Sequence, residues 1–119
     1  MRSGLITGDK TLAQIEAMRE GGKILARILR ELTEFARSGV TGLEADEFAR
    51  QKLAEYGAES AYLTPDVNFP GVVCISKNDC VVHGVPNGEP FEEGDVVAFD
   101  MVIIYKGMMV DACVTSCVG

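Results

Sequence analysis

Residues 94–119 read GDVVAFDMVIIYKGMMVDACVTSCVG. Two runs rich in Val, Ile and Met, roughly 96–105 and 108–117, lack a helical period and flank Lys106-Gly107, which predicts two longer strands joined as a hairpin. With a two-residue loop, Tyr105 lies opposite Met108, Val102 opposite Asp111, and Asp100 opposite Cys113. Opposed residues share a face of a sheet, and so do residues two apart on one strand. Asp100 and Asp111 are therefore expected on the same face as diagonal neighbours, about 7–8 Å apart at the backbone. An odd loop would put them on opposite faces.

Two carboxylates converging where water is scarce repel each other, and the usual outcomes are a raised pKa or a bound cation. Aspartate is depleted in strands without being excluded from them. Spacing alone leaves equally open that one aspartate ends a strand while the other faces water on an uncovered sheet face.

Upstream of the hairpin, VPNGEPFEEGD (85–95) is turn chemistry, and VVCIS (72–76) and CVVHG (80–84) are short β-branched runs. Lys77-Asn78-Asp79 between them reads as a hairpin connection. AESAYLTPDVNFPG (58–71), with its two prolines, reads as a loop. Before it the pattern is helical. In residues 11–39, Thr11 and Gln14 form a capping box ahead of Leu12, Ile15, Met18, Leu25, Ile28, Leu29, Leu32 and Phe35 at helical spacing. Gly21-Gly22 inside that helix implies a close-packed neighbour or a bend. Thr41 and Glu44 box a second helix carrying Ala45, Phe48, Ala49, Leu53 and Tyr56, stopped by Gly57. The expectation is a single α+β domain over residues 1–119, with two helices covering one face of a four-stranded antiparallel sheet.

The net charge of −7, with 11 Lys and Arg scattered among 18 acids, argues against a nucleic-acid partner. No apolar run reaches membrane-spanning length, and the first residues lack the apolar core of a secretory signal, so no membrane partner and a cytoplasmic location are expected. Cys74, Cys80, Cys113 and Cys117 lie in Val-rich segments and read as reduced core thiols, with disulfides or a metal site as the alternatives. His83 is the lone histidine, expected at a strand end before a turn. A lone histidine is more often structural or surface than functional. Cys80 and His83 have a zinc-like spacing that a strand would aim to opposite faces.

Taken together, QIEAMREGGKILARIL, SGVTGLEADEFAR, NFPGVVCISKNDCVVHGVPNG, EEGDVVAFD and GMMVDACVTSCVG resemble the N-terminal half of type I methionine aminopeptidases, which have the pita-bread metallopeptidase fold. The specific combination is N-x-x-V-x-H-G-x-P, then G-D-x-V-x-x-D, then a second aspartate eleven residues on. The resemblance implies removal of N-terminal Met from polypeptides by metal-activated water. It makes Asp100 and Asp111 metal ligands, His83 a catalytic and substrate-binding residue, and Phe69 and Cys74 part of the pocket for the methionine side chain. The implied cofactors are two divalent ions per complete site, Co, Mn, Fe or Zn, and the implied partners are peptide N-termini.

The family completes its site with one histidine and two glutamates from a second half. This sequence stops before them, so its ligand set is expected to be incomplete and its cover to be that missing half or a homodimer. Val110, Asp66 and Ser116 depart from the family's usual residues. The alternatives are a non-catalytic half-fold acting as a peptide-binding or assembly module, and a small Cys/His zinc protein. X-Pro aminopeptidases share the two-aspartate pattern.

Overall fold

The computed structural model describes residues 8–119. Most of the N-terminal stretch read for a signal sequence, residues 1–7, lies outside the described residues. Helix α1 runs Leu12–Phe35 and helix α2 Gly42–Glu55. Both start at the expected capping boxes. The Thr11 and Thr41 hydroxyls accept from the Gln14 and Glu44 amides, and the Gln14 and Glu44 side chains accept from the Thr11 and Thr41 amides. Each box satisfies two amides that a helix start leaves without partners. Gly57, at φ +71°, follows the end of α2 in the left-handed conformation that suits glycine.

The sheet contains β1 Glu59–Ser60, β2 Cys74–Lys77, β3 Val96–Tyr105 and β4 Met108–Cys117, all antiparallel. β3 is the spine. β4 pairs along one of its edges, while β2 and β1 pair in succession along the other, β2 with 97–100 and β1 with 103–104. Lys106 and Gly107 both have positive φ, +49° and +80°, the signature of a two-residue hairpin turn whose twist matches its strands. The register is the predicted one: Tyr105 opposite Met108, Val102 opposite Asp111, Asp100 opposite Cys113.

Alternation along β3 sends Val97, Phe99, Met101 and Ile103 into the core. There they meet Leu25, Ile28, Leu29 and Leu32 of α1 and Ala45, Ala49 and Leu53 of α2. The Phe35 and Phe48 rings stack between the helices, with centroids 4.3 Å apart. A Cβ on Gly21 would stand 3.3 Å from Tyr105 Cβ and 3.4 Å from Val110 Cγ2, so of the two expectations for the glycine pair, close packing holds at Gly21. The first turns of α1 overhang the sheet. Leu12 and Ile15, expected in the core, are exposed.

Three further expectations are corrected. CVVHG is not a strand: Val81 and Val82 are exposed, His83 adopts φ +57°, and the fourth strand is instead the two-residue β1. Lys77-Asn78-Asp79 does not close a hairpin. Asn78, at φ +53°, donates its amide to the Val96 carbonyl, tying the end of β2 to the start of β3. The cysteines are all free, as expected, but only Cys74 is a core thiol, since Cys80, Cys113 and Cys117 are exposed. Cys113 and Cys117 lie on the odd-numbered face of β4, which alternation turns away from the helices.

Candidate functional site

The sheet face opposite the helices carries Cys74, Asp100 and Cys113 in one row across β2, β3 and β4, with Val102 and Asp111 in the next. The two aspartates are thus the diagonal pair that the turn parity requires. Their interaction is direct. The Asp111 carboxyl is held above the ordinary carboxylate range by desolvation, then by a hydrogen bond with Asp100 and by its charge. One proton or one cation between two such oxygens relieves the same repulsion.

Phe69 and Cys74 reach this face through Tyr62, a residue the sequence reading passed over as part of a loop. The Tyr62 hydroxyl donates at long range, 3.2 Å to the Asp100 carbonyl oxygen and 3.4 Å to its Oδ1, the carbonyl being the nearer acceptor. Its ring meets Phe69 edge-on, with centroids 5.3 Å apart and planes at 61°. Burial, then a hydrogen bond with Cys74 and the neighbouring negative charges, pushes the Tyr62 phenol well above its usual range, so it stays protonated. Desolvation likewise pushes up the thiols of Cys74 and Cys113.

His83 stands apart from these four. Its side chain is exposed, and among the described residues no hydrogen bond or ion pair joins it to either aspartate. Its loop is nevertheless fixed. Gly84 accepts from the Ile75 amide at 2.9 Å and donates to Ser76 Oγ at 3.1 Å, which runs the loop along the edge of β2 away from β3. His83 is one strand removed from Asp100.

Asp46 was also missed. It is buried on α2, and its Oδ1 accepts from the amides of Val72 and Val73 at 2.8 and 3.2 Å while Oδ2 pairs with Arg50 at 3.0 Å. It fixes the entry to β2 and so the position of Cys74. The sequence offered at most a weak signal, an acid directly beside Ala45 on the apolar face of the helix.

Two of the departures from the family pattern lie off this face. Val110 packs toward Gly21 on the helix side, Ser116 shares that side by alternation, and Asp66 is exposed in the loop before Phe69. Among the described residues no group of three or more His, Cys, Asp or Glu side chains is arranged to hold a metal ion. Cys80 and His83 thus have no third such ligand beside them among the described residues. A cavity of about 430 Å³, bounded by Arg50, Leu53, Ser60 and Leu63, does not include the carboxylates, which sit on an open sheet face.

The model of Metallopeptidase family M24 matches residues 16–119. The chain belongs to this family. A methionine aminopeptidase of Staphylococcus epidermidis is 37% identical over 110 residues, covering 92% of this chain and 43% of that protein. The crystal structure of methionine aminopeptidase from Thermotoga maritima superposes with a TM-score of 0.88 at 31% identity, over 96% of this chain and 46% of that one. The Yersinia pestis proline aminopeptidase P II shares the fold, with a TM-score of 0.76 at 21% identity over 91% of this chain and 23% of its own. The M24 chain described here thus spans less than half the length of these two methionine aminopeptidases. Two helices on a four-stranded antiparallel sheet, expected from the sequence pattern, is the fold it has, and its structural neighbours include methionine aminopeptidases. No helix among its described residues is long and apolar enough to cross a membrane.

Proposed function

We propose that this chain contributes the two-aspartate side of a dinuclear metal site to a methionine aminopeptidase, removing N-terminal Met from polypeptides in the cytoplasm. The observation that carries the reading is the pairing of Asp100 and Asp111 on one sheet face, linked through Tyr62 to Phe69 and Cys74. The donor chemistry fits divalent cations. Two neighbouring carboxylates that repel each other can bind an ion between them, and oxygen donors suit Mn²⁺ and similar hard ions. The family resemblance extends the choice to Co, Fe and Zn. A divalent ion supplies Lewis acidity and lowers the pKa of water, the chemistry that peptide hydrolysis needs.

The chain's own residues then have separable tasks. Asp100 and Asp111 hold the ions. Phe69 and Cys74 offer an aromatic edge and a polarizable sulfur to a methionine thioether, a favourable contact for that side chain. His83, on the loop anchored through Gly84, orients the scissile amide. No further carboxylate or imidazole joins the two aspartates among the described residues, so the remaining ligands and the general base come from outside them.

One observation favours a second reading, the non-catalytic assembly module: β4 pairs only with β3, leaving ten residues with an unpaired outer edge among the described residues. A second copy of the chain or further polypeptide would cover it. The two readings are separated by measuring Mn²⁺ or Co²⁺ binding together with Met release from a Met-Ala-Ser peptide. Metal binding lost in Asp100→Asn and Asp111→Asn, with weak or no Met release by the chain alone, is the expected result. Metal binding indifferent to both substitutions would overturn the peptidase reading in favour of the module.

A further inference from the structure

Resting on the reading of Asp100 and Asp111 as metal ligands, we infer that Tyr62 is a positioning residue: its hydroxyl fixes the Asp100 carboxylate in one orientation for the cation. Apart from the interaction with Asp111, Tyr62 is the only donor hydrogen-bonded to that carboxylate among the described residues. A carboxylate on an open face with no donor would sample several rotamers, and each ion bound would have to select one. The contact to the carbonyl oxygen of the same residue holds the phenol against Asp100 while Oδ1 is engaged.

The placement of Tyr62 is built into the fold at both ends. Ser60 pairs with Ile103 on β3, the strand that carries Asp100, and Ser60 Oγ accepts from the Tyr62 amide at 3.1 Å to start the short 3-10 turn Ala61–Leu63. The Tyr62 carbonyl accepts from the Phe69 amide at 2.9 Å, and the two rings pack together. The hydroxyl is thereby indexed to β3 on one side and to the candidate methionine pocket on the other. A donor that hydrogen-bonds a ligating carboxylate orients it for the ion, and loss of such a donor typically costs about 10–100-fold in metal affinity.

The test uses the 119-residue chain, a size open to NMR. Side-chain scalar couplings of Asp100, measured without metal, report its rotamer, and electron paramagnetic resonance of added Mn²⁺ reports binding. Tyr62→Phe removes the hydroxyl alone, while Phe69→Leu removes the ring contact and keeps the hydroxyl. One dominant Asp100 rotamer in the wild type and in Phe69→Leu, averaging in Tyr62→Phe, and Mn²⁺ bound about tenfold more weakly by Tyr62→Phe with an unchanged thermal midpoint are the expected results. Equal Asp100 couplings in wild type and Tyr62→Phe, or equal averaging in Phe69→Leu, would overturn the inference. Mn²⁺ binding identical in wild type, Tyr62→Phe and Asp111→Asn would instead sink the metal-site reading, a failure told apart from the first because the couplings do not depend on the ion.

Discussion

Asp95, just before β3, and Asp111, within β4, are treated in opposite ways by their surroundings. Asp95 accepts from the Glu92 amide at 2.9 Å and from Asn78 Nδ2 at 3.1 Å, with Lys77 Nζ 3.8 Å away. Those interactions, the backbone bond foremost, hold its carboxyl below the ordinary range. Asp111 faces desolvation and another carboxylate and is held above it. The first arrangement stabilises the fold, and the second belongs to the proposed metal site. Because Asp95 is more acidic folded than unfolded, its contribution is present above the unfolded value near 3.8 and disappears as pH falls through the lower folded value. Asp95→Asn should therefore lower the thermal midpoint at pH 6 and flatten its fall below pH of about 4. Parallel midpoint curves for variant and wild type down to about pH 2.5 would show that Asp95 carries no such linkage.

At the scale of elements, the hairpin was legible because its loop has two residues and strand alternation has period two. Parity alone then settles which side chains share a face. The capping boxes were legible because the pattern is local. β1 was not, since two residues carry no periodicity and Glu59–Ser60 becomes a strand only by pairing with Ile103 and Ile104. CVVHG misled for the opposite reason. Its β-branched residues fit a strand, yet Gly84 comes so close to β2 that a Cβ there would stand 2.0 Å from the Ile75 carbonyl oxygen, and the chain passes as a loop. Gly84→Ala should consequently detach this loop, breaking the Ile75 and Ser76 hydrogen bonds and costing about 2–4 kcal/mol. Urea unfolding checks the cost, and a variant within about 0.5 kcal/mol of wild type would mean that the loop is not anchored there.

For the whole molecule, the legible part of the site was the pair Asp100 and Asp111, which the hairpin register supplies. Tyr62 was hidden because it lies 38 residues before Asp100 in sequence and is brought to it by the pairing of β1 with β3, a contact with no local signature. The position of His83 depends on the same kind of long-range approach, through Gly84. The chain spans 43% of its Staphylococcus epidermidis relative, and among the described residues the outer edge of β4 is unpaired. The central claim is that the sheet face opposite the helices holds divalent ions between Asp100 and Asp111. Anomalous X-ray scattering from crystals grown with Mn²⁺ tests it most directly. The expected result is a peak within about 2.0–2.6 Å of carboxylate oxygens of both aspartates. Well-ordered crystals showing the two carboxylates hydrogen-bonded to each other, with no Mn²⁺ peak between them, would contradict it.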